Sequence, residues 1–365
     1  MATASDVAIV DLDRVVEELS PAERAVFQRI FHVGVTYGRL VPPDSMLRWI
    51  EEHFGQVEST LNQKIVKVTN VVTMEGVLFN VLRSSRPLWK DHALDLENEL
   101  ARTNHDPLDN PLSQTPEDVF GRVHGRHCVT ASNIAKFDGF HGLVVFNEKH
   151  PLRFTRETIH DYIETGQQWA HLAHREDPAA KYYFFLWNCL WPAGASLLHG
   201  HAQVMLGRDM HYAAVEYLRR AALLYEANYR TNYFDDFYEA HRSIGCGFQR
   251  DGVRVMANLA PIKEKEVLLL ADEVSESLKD RIHEVLTCYR DVLGVSSFNL
   301  VIYQRPIAPT QEHWEGFPVV VRVVERGDPV SRTNDFGAME LYASSVVSSD
   351  PMKLAGTLEE ALGAA

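Results

Sequence analysis

The sequence predicts an α+β fold, and three observations carry that prediction. A strand, helix, strand, strand series occupies 142–206, a second strand, helix, strand series occupies 253–324, and no low-complexity linker separates them. One body built from two related α+β units follows, with Gly207-Arg208-Asp209 as the junction between them.

The first series opens with the short apolar strand Gly142-Leu143-Val144-Val145-Phe146. It continues through an amphipathic helix from Arg156 to His174 and an aromatic-rich strand from Lys181 to Leu190. After a turn at Pro192-Ala193-Gly194, a further strand is expected from Leu197 to Leu206. The second series follows a long helical pattern from Ala213 to Tyr229. It has strands between Val253 and Leu270, a helix from Val274 to Leu293, and strands from Phe298 to Val324, before the chain reaches Asp335-Phe336-Gly337-Ala338-Met339-Glu340. Ahead of both, Pro21-Ala22-Glu23-Arg24 starts a helix on which Val26, Ile30, Phe31 and Val35 fall at helical spacing, an accessory layer. From Lys64 to Leu82, β-branched residues broken by Met74-Glu75-Gly76 predict a hairpin. It leads into Asn80 and Arg83-Ser84-Ser85-Arg86-Pro87. Asp91 to Arg122 is polar, contains Pro107, Pro111 and Pro116, and reads as a long loop.

Composition narrows the function classes. The chain has 365 residues, 45% hydrophobic and 24% charged, enough to bury a sizeable core. Its 50 acidic and 36 basic residues leave a net charge of -14, which repels a nucleic-acid backbone or an anionic membrane. A small anionic substrate stays compatible, because a phosphate site needs only a few local donors. No apolar run reaches the roughly 20 residues of a membrane span, and Met1 to Asp13 do not read as a signal peptide. The four cysteines, Cys128, Cys189, Cys246 and Cys288, form no CxxC pair, so a reducing, cytoplasmic location is expected.

The chemistry concentrates in His199-Gly200-His201-Ala202-Gln203. In a strand, alternate side chains share a face, so two imidazoles and an amide are expected to project together. A neutral imidazole attacks an α-phosphorus and splits one difficult displacement into two through a phosphoramidate. His201, at the centre, is the expected nucleophile, and Gln203 would donate its amide protons to a phosphate oxygen. Asn188 stands upstream, and Gly194-Ala195-Ser196 leads into the predicted strand. Gly194 lets backbone approach an anion, and Ser196 offers a hydroxyl donor. Asn188 fits either a phosphate contact or an imidazole contact.

From about Asn133 to Arg208, these residues resemble the histidine-triad-like superfamily, in the transferase branch that carries HxHxQ where hydrolases carry HxHxH. Galactose-1-phosphate uridylyltransferases, diadenosine tetraphosphate phosphorylases and adenylylsulfate:phosphate adenylyltransferases belong to that branch. The resemblance implies two related α+β units with antiparallel sheets flanked by helices. Residues 1–208 would hold an N-terminal extension and the catalytic unit, and 209–365 a degenerate second unit without an HxH row. It further implies that His201 carries the nucleotidyl group, that Gln203 holds its phosphate, that Asn188, Ser196 and His199 surround them, and that the enzyme is a homodimer. Phe140 to His150 looks like the family strand that ends in a histidine, and Asn133 to Phe137 like the segment before it. Lys136 is a candidate binding residue there, although it and His141 read equally as surface or turn residues. In the second unit, His313 and Glu340 are candidates for acceptor contacts.

Two departures from the family pattern shape the expected function. Many uridylyltransferases bear a structural zinc on two cysteines and two histidines. His150 and His199 stand at positions resembling the two histidines, but the cysteine pair is missing and His124, His127 or Cys128 would have to complete the set. No cofactor is expected to be required, and a structural zinc is disfavoured. Leu78 to Arg83, followed by Arg86-Pro87, looks like the phosphate-side entry of adenylyl-transferring relatives, where Asn80, Arg83 and Arg86 would contact a polyanionic substrate. The expected reaction is adenylyl transfer from adenylylsulfate or a dinucleoside polyphosphate to phosphate, giving ADP. Uridylyl transfer between sugar phosphates and non-catalytic nucleotide binding are the alternatives.

Overall fold

The computed structural model describes residues 8–85, 96–102, 106–331 and 336–363. Its first long helix, Pro21–Ile30, starts at a capping box: Ser20 Oγ accepts from the Glu23 N–H while the Glu23 carboxylate accepts from the Ser20 N–H. The helical spacing seen in the sequence runs on through Phe31 and Val35, but the chain leaves the helix after Ile30. Strand β1 (Phe31–Arg39) pairs along its whole length with β2 (Asn62–Asn70). Phe31, Val33, Val35 and Tyr37 also alternate with period two, and tertiary pairing selects that reading. The predicted hairpin forms, with β3 (Gly76–Phe79) antiparallel to β2.

The rest of the chain builds a nine-stranded sheet. Its members are β4 (Cys128–Ser132), β5 (Phe140–Phe146), β6 (Tyr182–Cys189), β7 (His201–Gly207), β8 (Gly247–Arg250), β9 (Val253–Ala257), β10 (Val267–Ala271), β11 (Phe298–Tyr303) and β12 (Val319–Glu325). The spatial order is β4-β5-β7-β6-β11-β12-β10-β9-β8, and every pairing is antiparallel. The internal repeat is visible in that order. Strands β4 and β5, the helix Arg156–Glu176, then β6 and β7 give β4-β5-β7-β6; strands β9 and β10, the helix Glu276–Thr287, then β11 and β12 give β9-β10-β12-β11. The two series meet at β6 and β11, where Asn188 lies opposite Asn299. Strand β13 (Ser345–Val347) returns from the end of the chain and pairs parallel to β3, completing a four-stranded sheet with β1, β2 and β3.

One face of the nine-stranded sheet is covered by the two repeat helices. The helix Arg156–Glu176 is capped by Thr155 and buries Ile159, Tyr162, Ile163, Trp169 and Ala170. Together with Leu278, Ile282 and Val285 of the second helix, these residues pack on Val144, Val204, Phe185, Leu300, Val321 and Val323. The alternate residues of the same strands face the other way. Near β9 and β10 that second face is closed by a further apolar cluster containing Met256, Leu268, Leu270 and Val320. Near β6, β11 and β12 it opens as a cleft.

Two other sequence expectations change. The stretch expected as one long loop contains the helix Leu96–Arg102 and the short turns Pro107–Asp109 and Pro111–Gln114, with prolines opening the last two as their fixed φ favours. Strand β7 begins at His201 and not at Leu197. Among the described residues, no helix is long and apolar enough to cross a membrane.

Candidate active site

His201 is the first residue of β7, where Val145 of β5 lies opposite it. The segment before it runs against neighbouring backbone: Gly200 accepts from the Phe146 N–H at 3.0 Å and donates to the Lys149 carbonyl at 2.9 Å. A Cβ at residue 200 would stand 2.7 Å from the Phe146 ring, so only glycine passes between the two histidines here. His201 Nδ1 lies 2.8 Å from the His199 carbonyl oxygen. A carbonyl only accepts, so Nδ1 carries the proton and Nε2 the lone pair. No described residue hydrogen-bonds that Nε2. Burial pushes the imidazole pKa below its ordinary value, against the opposing pull of the His199 carbonyl, and keeps the ring neutral at pH 7. The result is an available nitrogen nucleophile.

Gln203 shares the face of His201 two residues along the strand. Its Oε1 lies 2.8 Å from His141 Nε2. The Phe137 N–H donates to His141 Nδ1 at 3.0 Å, so His141 must carry its proton on Nε2 and donate it to Gln203. His141 is fully buried, and burial, opposed by the Gln203 bond, lowers its pKa and keeps this tautomer. With its carbonyl occupied, Gln203 presents its amide NH₂ group away from His141.

Asn188, on β6, flanks His201 from the other side. The β6–β7 ladder ends with Leu186 opposite Gln203, and Asn188 lies two residues beyond Leu186 on the same face, at the level that the same register would give His201. Asn188 and Gly194 line a cleft of about 1720 Å³, whose walls also include Arg83, Phe137, Phe336 and Glu340. Between Asn188 and Gly194 the chain turns through Leu190, a buried residue with φ 67 and ψ 172. Such a conformation costs a non-glycine residue about 1–3 kcal/mol. The Leu190 carbonyl accepts from the N–H groups of Ala193 and Ala195, which holds the turn. Ser196 follows, exposed, with no described partner for its hydroxyl.

The structure thus brings His201, Gln203, Asn188 and Gly194 to one sheet face and its adjoining turn, with Ser196 two residues further on and Arg83 across the cleft. Arg83 is exposed and has no described ion-pair partner. Arg86 lies outside the described residues. Three expectations are corrected by geometry. His199 precedes the strand, and its ring is consumed by Asp109 Oδ1 at 2.9 Å and the Phe146 carbonyl at 2.8 Å; its contribution to the site is the backbone oxygen that orients His201. Asn80 spends its amide on Gln63 and the Leu82 N–H, turning the chain away from β3. Lys136 bonds Ser132 Oγ at 2.6 Å and the His141 carbonyl at 3.2 Å and pairs with Asp118, so from the exposed connection between them it ties the end of β4 to the start of β5. In the second unit, Glu340 lines the cleft while accepting from the Gly337 N–H. His313 is not among the cleft-lining residues, and its carbonyl accepts from Arg219.

The residues that would have to hold a zinc do not fit one. His199 has both nitrogens engaged, and Asp109 also pairs with Lys149 at 2.8 Å. Burial raises the Asp109 pKa, but hydrogen bonds from Lys149 and His199 outweigh it and hold the carboxyl below its ordinary value. An ammonium supplies the positive charge there. His150 accepts from the Leu152 N–H and faces Glu97, Cys128 is buried against Thr165 and Asp161, and His124 is exposed. Among the described residues, one group of three could share an ion, His160, Glu164 and Glu276. Lys279 already bonds both of its carboxylates.

Sequence reasoning missed Asp109, set in the supposed loop, and Asn299 and Arg326 in the second unit. Asn299 did leave a trace: it is the lone polar residue in Phe298–Tyr303.

No protein-family model matches the chain, and no curated protein matches it in sequence. Solved structures do. An ADP-glucose phosphorylase from Arabidopsis thaliana, solved with bound ADP-glucose, superposes with a TM-score of 0.59 at 14% identity, covering 79% of this chain and 96% of that one. A uridylyltransferase gives 0.55 at 15% identity, covering 81% and 98%. A GalT-like protein from Arabidopsis thaliana gives 0.56 at 14% identity, covering 70% and 92%. The chain has the α+β fold of these solved structures, an antiparallel sheet flanked by helices. More particularly, it shares the fold of the uridylyltransferase and the ADP-glucose phosphorylase, and its own strand order holds the internal repeat described above.

Proposed function

We propose that this protein is a nucleotidyltransferase that carries a nucleoside monophosphate on His201 Nε2. One observation carries the reading: the lone pair of a buried, neutral imidazole lies on the same sheet face as two carboxamides, Gln203 and Asn188, whose oxygens are occupied from behind. Their NH₂ groups are left to hold phosphate oxygens. The Nε2 lone pair attacks the α-phosphorus, the phosphorus–oxygen bond to the leaving group breaks, and its electron pair departs with the leaving anion. Positive charge that develops on the imidazole is shared through the Nδ1–H bond to the His199 carbonyl, while the two amides stabilise charge on the phosphoryl oxygens. An acceptor oxygen then attacks the same phosphorus from the vacated side, and the phosphorus–nitrogen bond breaks to restore the neutral ring.

For the substrates, the reading is adenylyl transfer to inorganic phosphate, giving ADP. Support comes from Arg83, whose forked donors suit a polyanion at the cleft wall. It comes also from the shared fold of a phosphorylase solved with ADP-glucose, which joins adenylylsulfate and diadenosine tetraphosphate as a donor to test. Uridylyl exchange between sugar phosphates would use the same residues and is the second reading, favoured by a likeness to a uridylyltransferase of similar degree.

The test is to incubate the protein separately with ADP-glucose, adenylylsulfate, diadenosine tetraphosphate and UDP-glucose and to measure its intact mass. An AMP adduct mapped to His201, lost in His201→Ala and discharged by phosphate to ADP, is expected. A UMP adduct selects the second reading. No adduct with any donor, or turnover that survives His201→Ala, overturns the covalent mechanism.

A further inference from the structure

Asn188 comes from the first unit, but its orientation is set by the second. Its Oδ1 lies 2.7 Å from Asn299 Nδ2 on β11, the strand that joins the two units. The same Nδ2 lies 2.8 Å from the carbonyl oxygen of Ala193, in the turn that leads to Gly194. A backbone carbonyl can only accept, so the Asn299 atom between them is the donor nitrogen and the Asn188 atom is the oxygen. The other end of Asn299 is fixed just as firmly, because the Arg326 guanidinium, which can only donate, bonds Asn299 Oδ1. A rotated Asn299 would set its NH₂ against a cation and its oxygen against a carbonyl.

We infer that Asn299, held by Arg326, is a positioning residue for nucleotidyl transfer: it keeps the Asn188 NH₂ aimed into the cleft, where the phosphoryl group is bound. The inference rests on the nucleotidyl-histidine reading above and adds that the second unit, which lacks an HxH row, completes the site. The arrangement mirrors the other flank, where His141 turns the Gln203 amide by the same means. Asn299 also ties the Ala193 carbonyl to β11, so one amide sets both the donor and the turn beside it.

The test uses the full chain and the same four donors, with adduct formation followed by rapid quench and intact mass. In Asn299→Asp a carboxylate replaces the donor, Asn188 rotates its NH₂ toward it, and the phosphoryl group meets the Asn188 carbonyl. Adduct formation is expected to slow about 10²-fold, the scale of losing one preorganised donor, in kcat more than in KM. The second arm is a double-mutant cycle of Asn188→Ala and Asn299→Ala. If Asn299 acts through Asn188, its removal costs less than about twofold once Asn188 is gone. Should Asn299→Asp fail to fold by thermal unfolding, the alanine cycle gives the answer. Unchanged adduct formation in Asn299→Asp, or additive losses in the cycle, overturns this inference alone. A wild-type chain that forms no adduct overturns the reading beneath it.

Discussion

Acid should weaken this protein well before its carboxylates titrate, and His241 shows why. It is fully buried, with Nδ1 donating to the Phe237 carbonyl at 2.8 Å and Nε2 accepting from the Leu259 N–H at 3.2 Å. Both bonds require the neutral ring, since a second proton would point at an N–H. Burial, only partly offset by hydrogen bonds to Phe237 and Asn258, pushes its pKa from 6.5 to about 4. His211, also buried, is pushed to about 4 by the same cause. The unfolded chain therefore binds protons that the folded chain does not between pH 6.5 and 4, and stability falls as pH falls through that window. At pH 5 each ring costs about 2 kcal/mol, rising to about 3 kcal/mol below both pKa values. His141, His150, His201 and His283 are depressed as well and add loss of the same sign. The perturbation is His241→Gln, which keeps an acceptor for Leu259 and does not titrate. Urea unfolding at pH 7.5 and pH 5.0 should show the variant losing about 2 kcal/mol less than wild type between the two. An equal loss in both proteins would refute the assignment of this proton to His241.

Two other outcomes follow from the site. Gln203→Glu replaces the phosphate-facing NH₂ with an anion, and nucleotidylation measured by rapid quench should fall about 10²–10³-fold; an unchanged rate would remove Gln203 from the phosphate. Gly142→Ala places a methyl 2.7 Å from the ring of Trp169, which is fully buried and bonded through Nε1 to Asp118 at 2.6 Å. The overpacking should cost about 1–3 kcal/mol, read as a lower urea midpoint, and an unmoved midpoint would show that Trp169 can yield.

The parts legible in the sequence were those whose signal is local. Alternation in 201–206 gave β7 and put His201 and Gln203 on one face, and the repeated strand and helix patterns gave the two units. Where two local codes overlap, tertiary pairing decided: Phe31 and Val35 satisfy a helical and a strand period alike, and the partner strand β2 selects the strand. His199 looked like part of the row because period two extends backward from His201, yet the chain leaves the sheet there to pass Phe146. Asp109 and Asn299 were hidden for another reason. Each acts through a residue far away in sequence, His199 at 90 positions and Asn188 at 111, and spacing along one chain carries no trace of such a meeting.

The meeting of β6 with β11 also has a cost in time. A ribosome adds about 5–20 residues per second, so the 111 positions between Asn188 and Asn299 correspond to a wait of roughly 5 to 20 seconds. During that interval β6 has β7 on one side and an open edge on the other. Its residues Tyr182, Tyr183, Phe184, Phe185 and Trp187 are rich in aromatic surface, a ready template for another chain's strand. A chain truncated before β11 would carry this hazard permanently, whereas in the folded protein β11 covers that edge by pairing with β6.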